Sequence, residues 1–285
     1  MSTSELQDRM RQVSRSLLEE GRVKVVIGYG QRNPDMPAFP LFVTKPEDTE
    51  RLVWNDLCLS NLAVYVTRKD IKALGPAAII VKGCDEKALV VLEQESQVNR
   101  DALYVIGMAC EGVGHPRAAK CERCDVHMPR FADETVGQVA ASVPAEGPDP
   151  ELAAFLKKSP EERIAYWMRE LDRCIKCYAC RETCPLCYCN RCIVDKNRPA
   201  VLDTSATLKG NFAWQITRAF HQAGRCVGCD ECTRACPAGI NLRLLNLTLA
   251  EAARENFDGY RAGMDKEAAP VIGAYSQQDK ENFIQ

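Results

Sequence analysis

The sequence predicts an α+β chain in two parts: a small α/β domain with a mainly parallel sheet, then a mostly helical domain. Three observations carry this. Apolar, β-branched runs alternate with helical periodicity as far as Cys110, the pattern of strands joined by helical crossovers. Between about Phe131 and Phe155 the chain thins into an alanine-, proline- and glycine-rich stretch that reads as a linker. From Glu151 onwards no convincing strand pattern occurs. The divisions expected are an α/β domain over residues 1–137, a linker over 138–158, a helical domain over 159–260 and a tail over 261–285.

Each element has its own signal. Ser4 and Gln7 have capping-box spacing, and Leu6, Met10, Val13 and Leu17 recur at helical intervals before Gly21, so the chain opens on an amphipathic helix. Arg22 to Ile27 predicts a strand, Pro46 to Asp56 a helix, and Ala77 to Val81 a second buried strand that runs into Lys82-Gly83-Cys84. Asp85 to Glu95 reads as a helix and Ala102 to Gly107 as another strand, ending near Cys110. Ligands gather beyond the C-terminal ends of parallel strands, so Cys84 and Cys110 are expected at one edge of the sheet. Past the linker, Ser159-Pro160 followed by two glutamates is a helix start, with Ile164, Trp167, Met168 and Leu171 as the apolar face. That helix delivers the chain to Cys174. Further helices are expected at Asn211 to Gln222 and Asn241 to Asn256. Trp54, Trp167 and Trp214 are assigned to the core, and Ala268 to Gln285, which lacks periodicity, to a tail that orders on a partner.

Composition narrows the function. The 285 residues hold 37 Lys and Arg against 39 Asp and Glu, a net charge of -2, which gives no basic footprint for nucleic acid. Hydrophobic residues at 46% and charged residues at 27% fit an ordinary globular chain rather than a disordered one. The N-terminal segment is charged throughout and has no apolar core of a signal peptide, and no run approaches the length of a membrane span. The chain is therefore expected in the cytoplasm. The outlier is cysteine, 16 residues against three histidines. In a reducing compartment, closely spaced cysteines point to metal ligation rather than to disulfides.

The strongest motif is written twice. Residues 174–185 read CIKCYACRETCP and residues 226–237 read CVGCDECTRACP, the run of three cysteines at three-residue steps followed by Cys-Pro that characterises bacterial two-cluster ferredoxins. Three thiolates in a tight loop hold three irons of one 4Fe-4S cubane, and the fourth cysteine of the run reaches the other cluster. The expected sets are Cys174, Cys177 and Cys180 with Cys236, and Cys226, Cys229 and Cys232 with Cys184. Zinc also takes four thiolates, but it does not call for this triple spacing and proline twice over. No zinc-hydrolase pattern, GxSxG elbow or phosphate-binding GxxxxGKS/T run is present, and His115, His127 and His221 are scattered.

The segment Phe220 to Ile240 (FHQAGRCVGCDECTRACPAGI) resembles the α-helical dicluster ferredoxin domain of heterodisulfide reductase small subunits and related respiratory iron-sulfur subunits. The segments Lys82 to Val113 and Lys120 to Gly137 are similar to the β subunits of deazaflavin-coenzyme-reducing hydrogenases and formate dehydrogenases. This second resemblance implies a 4Fe-4S cluster on Cys84, Cys110, Cys121 and Cys124. Two post-strand cysteines and a CxxC agree with four soft thiolates on one side of a sheet, a set that zinc would also accept. One departure stands out: ten residues separate Cys110 from Cys121, where flavin-bearing members of the family place a much longer segment. The shortened loop argues against a flavin and deazaflavin pocket. Gly28-Tyr29-Gly30 continues to Asn33 where a third glycine would complete a dinucleotide fingerprint, and so reads as a strand-ending turn.

Cys58, Cys187, Cys189 and Cys192 remain, and sixteen cysteines make four sets of four. A fourth cluster on these residues stands beside the alternative that they pack as small hydrophobes near a cluster. The function expected is an electron-transfer subunit of a cytoplasmic, anaerobic oxidoreductase complex with at least three 4Fe-4S clusters and no catalytic centre of its own. By resemblance its partners are a hydrogenase, a formate dehydrogenase or a flavin-containing heterodisulfide-reductase-like subunit. Two alternatives remain: a flavin-binding subunit that itself reduces a deazaflavin or nicotinamide, and a scaffold with structural zinc in its N-terminal domain.

Overall fold

A computed structural model describes residues 2–140, 147–192, 194–196, 199 and 203–273. Helix α1 (Thr3–Glu19) carries a capping box, formed by Ser2 and Glu5 rather than by Ser4 and Gln7. Its buried stripe is Met10, Val13 and Leu17, as the period requires. Strand β1 (Val25–Gly30) starts later than its β-branched signal, and the chain returns as β2 (Phe39–Val43). A 3-10 helix occupies Pro46–Arg51 in place of the α-helix expected there, and another covers Leu62–Tyr65. The short helix α2 (Lys69–Lys72) leads to β3 (Ala77–Val81), helix α3 (Gly83–Gln94), a 3-10 turn at Arg100–Ala102 and β4 (Leu103–Met108). Helix α4 (Ala119–Glu122) and strand β5 (Glu134–Val136) complete this half.

The sheet order is β2-β1-β3-β4-β5, with β1, β3, β4 and β5 parallel and β2 antiparallel at one edge. The mainly parallel sheet is as expected. Every residue of β1 and β3 is buried, the signature of a sheet covered on both faces. Gly28 and Gly30 lie inside β1, not in a turn after it, and packing explains them. A Cβ on Gly28 would fall 2.5 Å from Leu52 and 2.7 Å from Ile80, and one on Gly30 would fall 3.0 Å from the Phe39 ring.

Past β5, the regular elements among the described residues are all helices. Pro150–Leu156, inside the stretch read as linker, forms helix α5, with Asp149 capping its N-terminus and Leu152 and Phe155 buried; residues 141–146 lie outside the described residues. Helix α6 (Pro160–Asp172) starts at Pro160 as expected, with a capping box formed by Ser159 and Glu162, and Trp167 and Leu171 are buried. Ile164, expected on that face, is exposed. Helices α7 (Ala179–Glu182), α8 (Leu208–His221), α9 (Glu231–Arg234) and α10 (Leu242–Asn256) follow, with a 3-10 turn at Val194–Lys196. Trp54, Trp167 and Trp214 are all buried.

The two halves share apolar contacts. Leu186, Val227 and Ala262 belong to the core built on the sheet, while Leu152, Trp167, Trp214 and Leu244 build a second core. The segment after α10 runs back along α3, where the Gln94 amide donates to the carbonyls of Asp265 and Ala268 at 2.9 and 2.8 Å. Residues 261–268 are therefore laid on the first half, and 274–285 lie outside the described residues.

Candidate functional site

The two ferredoxin runs fold alike. The fold of α6 brings in Cys174, whose N–H donates to Leu171 at 3.1 Å. Lys176 and Tyr178, two and four residues after Cys174, have φ of 56° and 61°; Gly228 and Asp230 hold the same places after Cys226 with φ of 70° and 64°. Left-handed residues alternating with right-handed ones turn successive N–H groups toward a concavity that favours anions. Each loop then enters a short helix, α7 or α9, that carries the third cysteine, Cys180 or Cys232.

Two small cavities result. One, about 20 Å³, is lined by Cys174, Cys177, Cys180 and Cys236, with Trp214 and Gln215. The other, also about 20 Å³, is lined by Cys184, Cys226, Cys229 and Cys232, with Gln222 and Asn246. The fourth cysteine of each run thus lies at the cavity of the other run. Burial pushes Cys232 up to about 12 and raises Cys180, Cys226 and Cys229, so these thiols ionise only against a strong positive partner such as iron.

Helix α8 passes both cavities with a face that hydrophobic periodicity does not predict. Asn211, Gln215, Arg218 and Gln222, spaced four, three and four apart, are all buried. The Asn211 amide donates to the carbonyls of Leu171 and Cys174 at 3.1 and 2.7 Å. The Gln215 amide approaches the sulfurs of Cys174 and Cys180 at 3.8 and 3.9 Å, and that of Gln222 approaches Cys187 Sγ at 3.3 Å. From α10, Asn246 Nδ2 lies 3.5 Å from Cys232 Sγ. Amide donors on cluster sulfurs stabilise the reduced state. Their signal in the sequence is polar residues recurring at the helical period within an otherwise apolar helix.

Cys84, Cys110, Cys121 and Cys124 line a third cavity, of about 520 Å³. Cys84 lies in the first turn of α3, just past β3, and Cys110 lies two residues past β4; because these strands are neighbours and parallel, both cysteines come out at one edge. The Cys110 N–H donates to His127 O at 2.9 Å, and the Val113 N–H lies 3.4 Å from Cys121 Sγ. Gly83 lets α3 approach the 126 carbonyl closely: a Cβ there would fall 1.8 Å from Val126 O. Burial pushes Cys84 up to about 12 and Cys110 to about 11, against the pull of the buried Lys82 ammonium. Lys82 is itself held by Asp85 and by Ser60 O, each at 2.9 Å, and by the Tyr29 hydroxyl. The far wall belongs to the helical half, with Asp149, Cys226, Gly228 and Arg243. Among the described residues no three His, Cys, Asp or Glu groups are disposed to hold a single metal ion.

The remaining four cysteines differ in their surroundings. Cys58 is buried in the first half, where its N–H and thiol bond within residues 53–55, and Cys110 is the cysteine whose charge bears on it. Cys187 instead packs beside Cys184 and Gln222, Cys192 lies against the second core, and Cys189 is exposed. The Val53 N–H donates to Tyr29 O at 2.9 Å, so the segment that leads to Cys58 lies against β1. His115 and His221 are exposed.

Residues 170–240 match the model of the 4Fe-4S dicluster domain. The chain is similar to F420-dependent formate dehydrogenase 1 subunit beta of Methanococcus maripaludis, at 25% identity with 90% of each chain covered. It is also similar to F420-dependent formate dehydrogenase subunit beta of Methanocaldococcus jannaschii, at 22% identity with 90% of this chain and 91% of that one covered. The first comparison runs over 355 aligned positions, more than the 285 residues here, so that relative carries insertions this chain lacks. The resemblance read from the cysteine segments is borne out, and with it an iron-sulfur, electron-transfer character. No helix among the described residues is long and apolar enough to cross a membrane.

Proposed function

We propose that this chain relays single electrons through three 4Fe-4S clusters as a subunit of a cytoplasmic, anaerobic oxidoreductase complex of the formate dehydrogenase type. The observation that carries the reading is that two cavities are each lined by four cysteines and a third by Cys84, Cys110, Cys121 and Cys124 together with Cys226, which it shares with the second. The ligand sets proposed are Cys174, Cys177, Cys180 and Cys236; Cys184, Cys226, Cys229 and Cys232; and Cys84, Cys110, Cys121 and Cys124. Four thiolates are the donor set a cubane takes, and each cluster supplies a one-electron couple. Cys226 and Gly228 line both the second and the third cavity, which supports a path from the N-terminal cluster into the helical pair. By the names of its relatives, the partner is a subunit that oxidises formate. Hydrogenase and heterodisulfide-reductase-like partners remain the alternatives of the same chemistry.

A second reading is favoured by one measurement. The N-terminal cavity far exceeds the two helical ones and falls within the range of ligand pockets, about 300–1,000 Å³. That room supports a flavin beside the cluster, despite the short loop between Cys110 and Cys121.

Anaerobic quantification on the full chain tests both readings. The relay reading expects about twelve irons and twelve sulfides per chain with no zinc. One zinc with about eight irons would make the N-terminal half a scaffold and remove the path through it. A flavin absorbance at one equivalent would move the assignment to the second reading.

A further inference from the structure

Arg218 is 3% exposed, and its Nη2 donates to Cys180 O at 3.0 Å. Among the described residues no carboxylate lies within ion-pairing distance of it, and its Nε has no hydrogen-bond partner. A buried guanidinium without an anion is expensive, so the fold must supply negative charge nearby. On the buried face of α8, Arg218 stands between Gln215, which lines one helical cavity, and Gln222, which lines the other. Cys180 lines one helical cavity, while Cys184 and Cys232 line the other. The flanking residues on α8 repeat this division, Gln215 toward Cys174 and Cys180, and Gln222 toward Cys184 and Cys187.

We propose that Arg218 is a positioning residue shared by the two helical clusters, its single buried cation holding both midpoint potentials up together. The proposal rests on the reading of these two cavities as 4Fe-4S sites. Reduction adds one negative charge to a cluster, and a fixed cation within a low-dielectric interior stabilises the charged product. Placed between two clusters, one cation does this for both. The difference between the two potentials then changes little, and electrons pass in either direction without a large step.

The test is an EPR-monitored redox titration of the anaerobic full chain, wild type against Arg218→Gln and Arg218→Lys. For Arg218→Gln, the reduced-to-oxidised ratio at a fixed solution potential should fall about tenfold in both helical clusters, a shift of about 59 mV to more negative values for a one-electron couple. The N-terminal cluster should stay in place. Arg218→Lys should shift both helical clusters in the same direction but less. Unchanged midpoints, or a shift in one helical cluster alone, overturns the proposal. If the glutamine variant does not load its clusters, the lysine variant decides by the same criterion. Failure of the underlying reading has a different signature: wild-type protein without two helical clusters by iron count and EPR.

Discussion

Replacing Gly83 by alanine should remove the N-terminal cluster proposed on Cys84, Cys110, Cys121 and Cys124 and leave the proposed helical pair. Gly83 precedes Cys84, and Val126 follows Cys124 by two residues, so the contact between them sits between two of the four cysteines. An alanine Cβ would fall 1.8 Å from Val126 O and 2.7 Å from Val126 C, whereas ordinary contact begins near 3.4 Å, so the backbones must part by about 1.6 Å. The atoms in the way are main chain, and cannot swing aside as a side-chain end would. Metal–ligand distances tolerate only about 0.2 Å. The overpacking itself should cost about 1–3 kcal/mol, which a domain of this size survives. Anaerobic iron analysis should therefore fall from about twelve to about eight irons per chain, with the helical clusters' EPR signals retained. Gly21→Ala is the control: its Cβ meets nothing within 4 Å, so the left-handed backbone should cost about 1 kcal/mol and no iron. Should Gly83→Ala protein keep about twelve irons, the close approach is not what sets the cysteine geometry.

Cys236→Ser should perturb the spectrum of the cluster expected on Cys174, Cys177 and Cys180 and spare that on Cys226, Cys229 and Cys232; the reverse result would exclude the exchanged pairing. Asp149→Asn breaks the 3.0 Å pair with Arg243 and should lower the melting temperature by about 2 °C, the effect of at most about 1 kcal/mol for a partly exposed ion pair. Burial pushes the Asp149 carboxyl up, but the Arg243 guanidinium together with the Leu152 and Glu151 N–H groups more than reverses this, so its folded pKa lies below the ordinary value. Its contribution is then complete above the unfolded carboxylate pKa of about 4 and is lost only as pH falls through the lower folded value. The melting difference between wild type and variant should accordingly be flat from about pH 8 to 5, and a difference that shrinks between pH 8 and 6 would contradict this assignment.

What was legible in the sequence was whatever depended on local spacing. Ala77–Val81 is a strand at the expected residues because a short uninterrupted apolar run ending in Ile-Ile-Val has few other fates, and the Ser159-Pro160 start placed the first residue of α6. The edge strand β2 escaped notice because Pro40 sits in its middle; an edge position tolerates that proline, paired with Tyr29, where a central strand would not. The glycines of β1 look like turn residues locally, and only Leu52, Ile80 and Phe39, brought from elsewhere, explain them. The same limit applies to the metal sites. Spacing groups the cysteines within each run, but the neighbours of Cys58 and the polar face of α8 depend on which elements meet. Arg218 and Gln222 interrupt an apolar pattern in one dimension; in three, Gln222 lines a cysteine cavity and Arg218 is buried beside Cys180.

The return of residues 257–268 along α3 has a mechanical consequence. Tyr260 and Ala262 pack into the sheet's core, and Arg261 pairs with Asp125 at 2.7 Å, one residue from Cys124. Together with the 2.6 Å bond from Arg225 to Glu95, these contacts act as a clasp across the seam. Swivelling of one half against the other would have to open that clasp, so the gap an electron must cross is fixed by the fold rather than by chance encounter. Cutting the chain after α10 would then cost conductance before it cost any cluster, because a loosened seam lengthens the jump while leaving each cage of sulfurs whole.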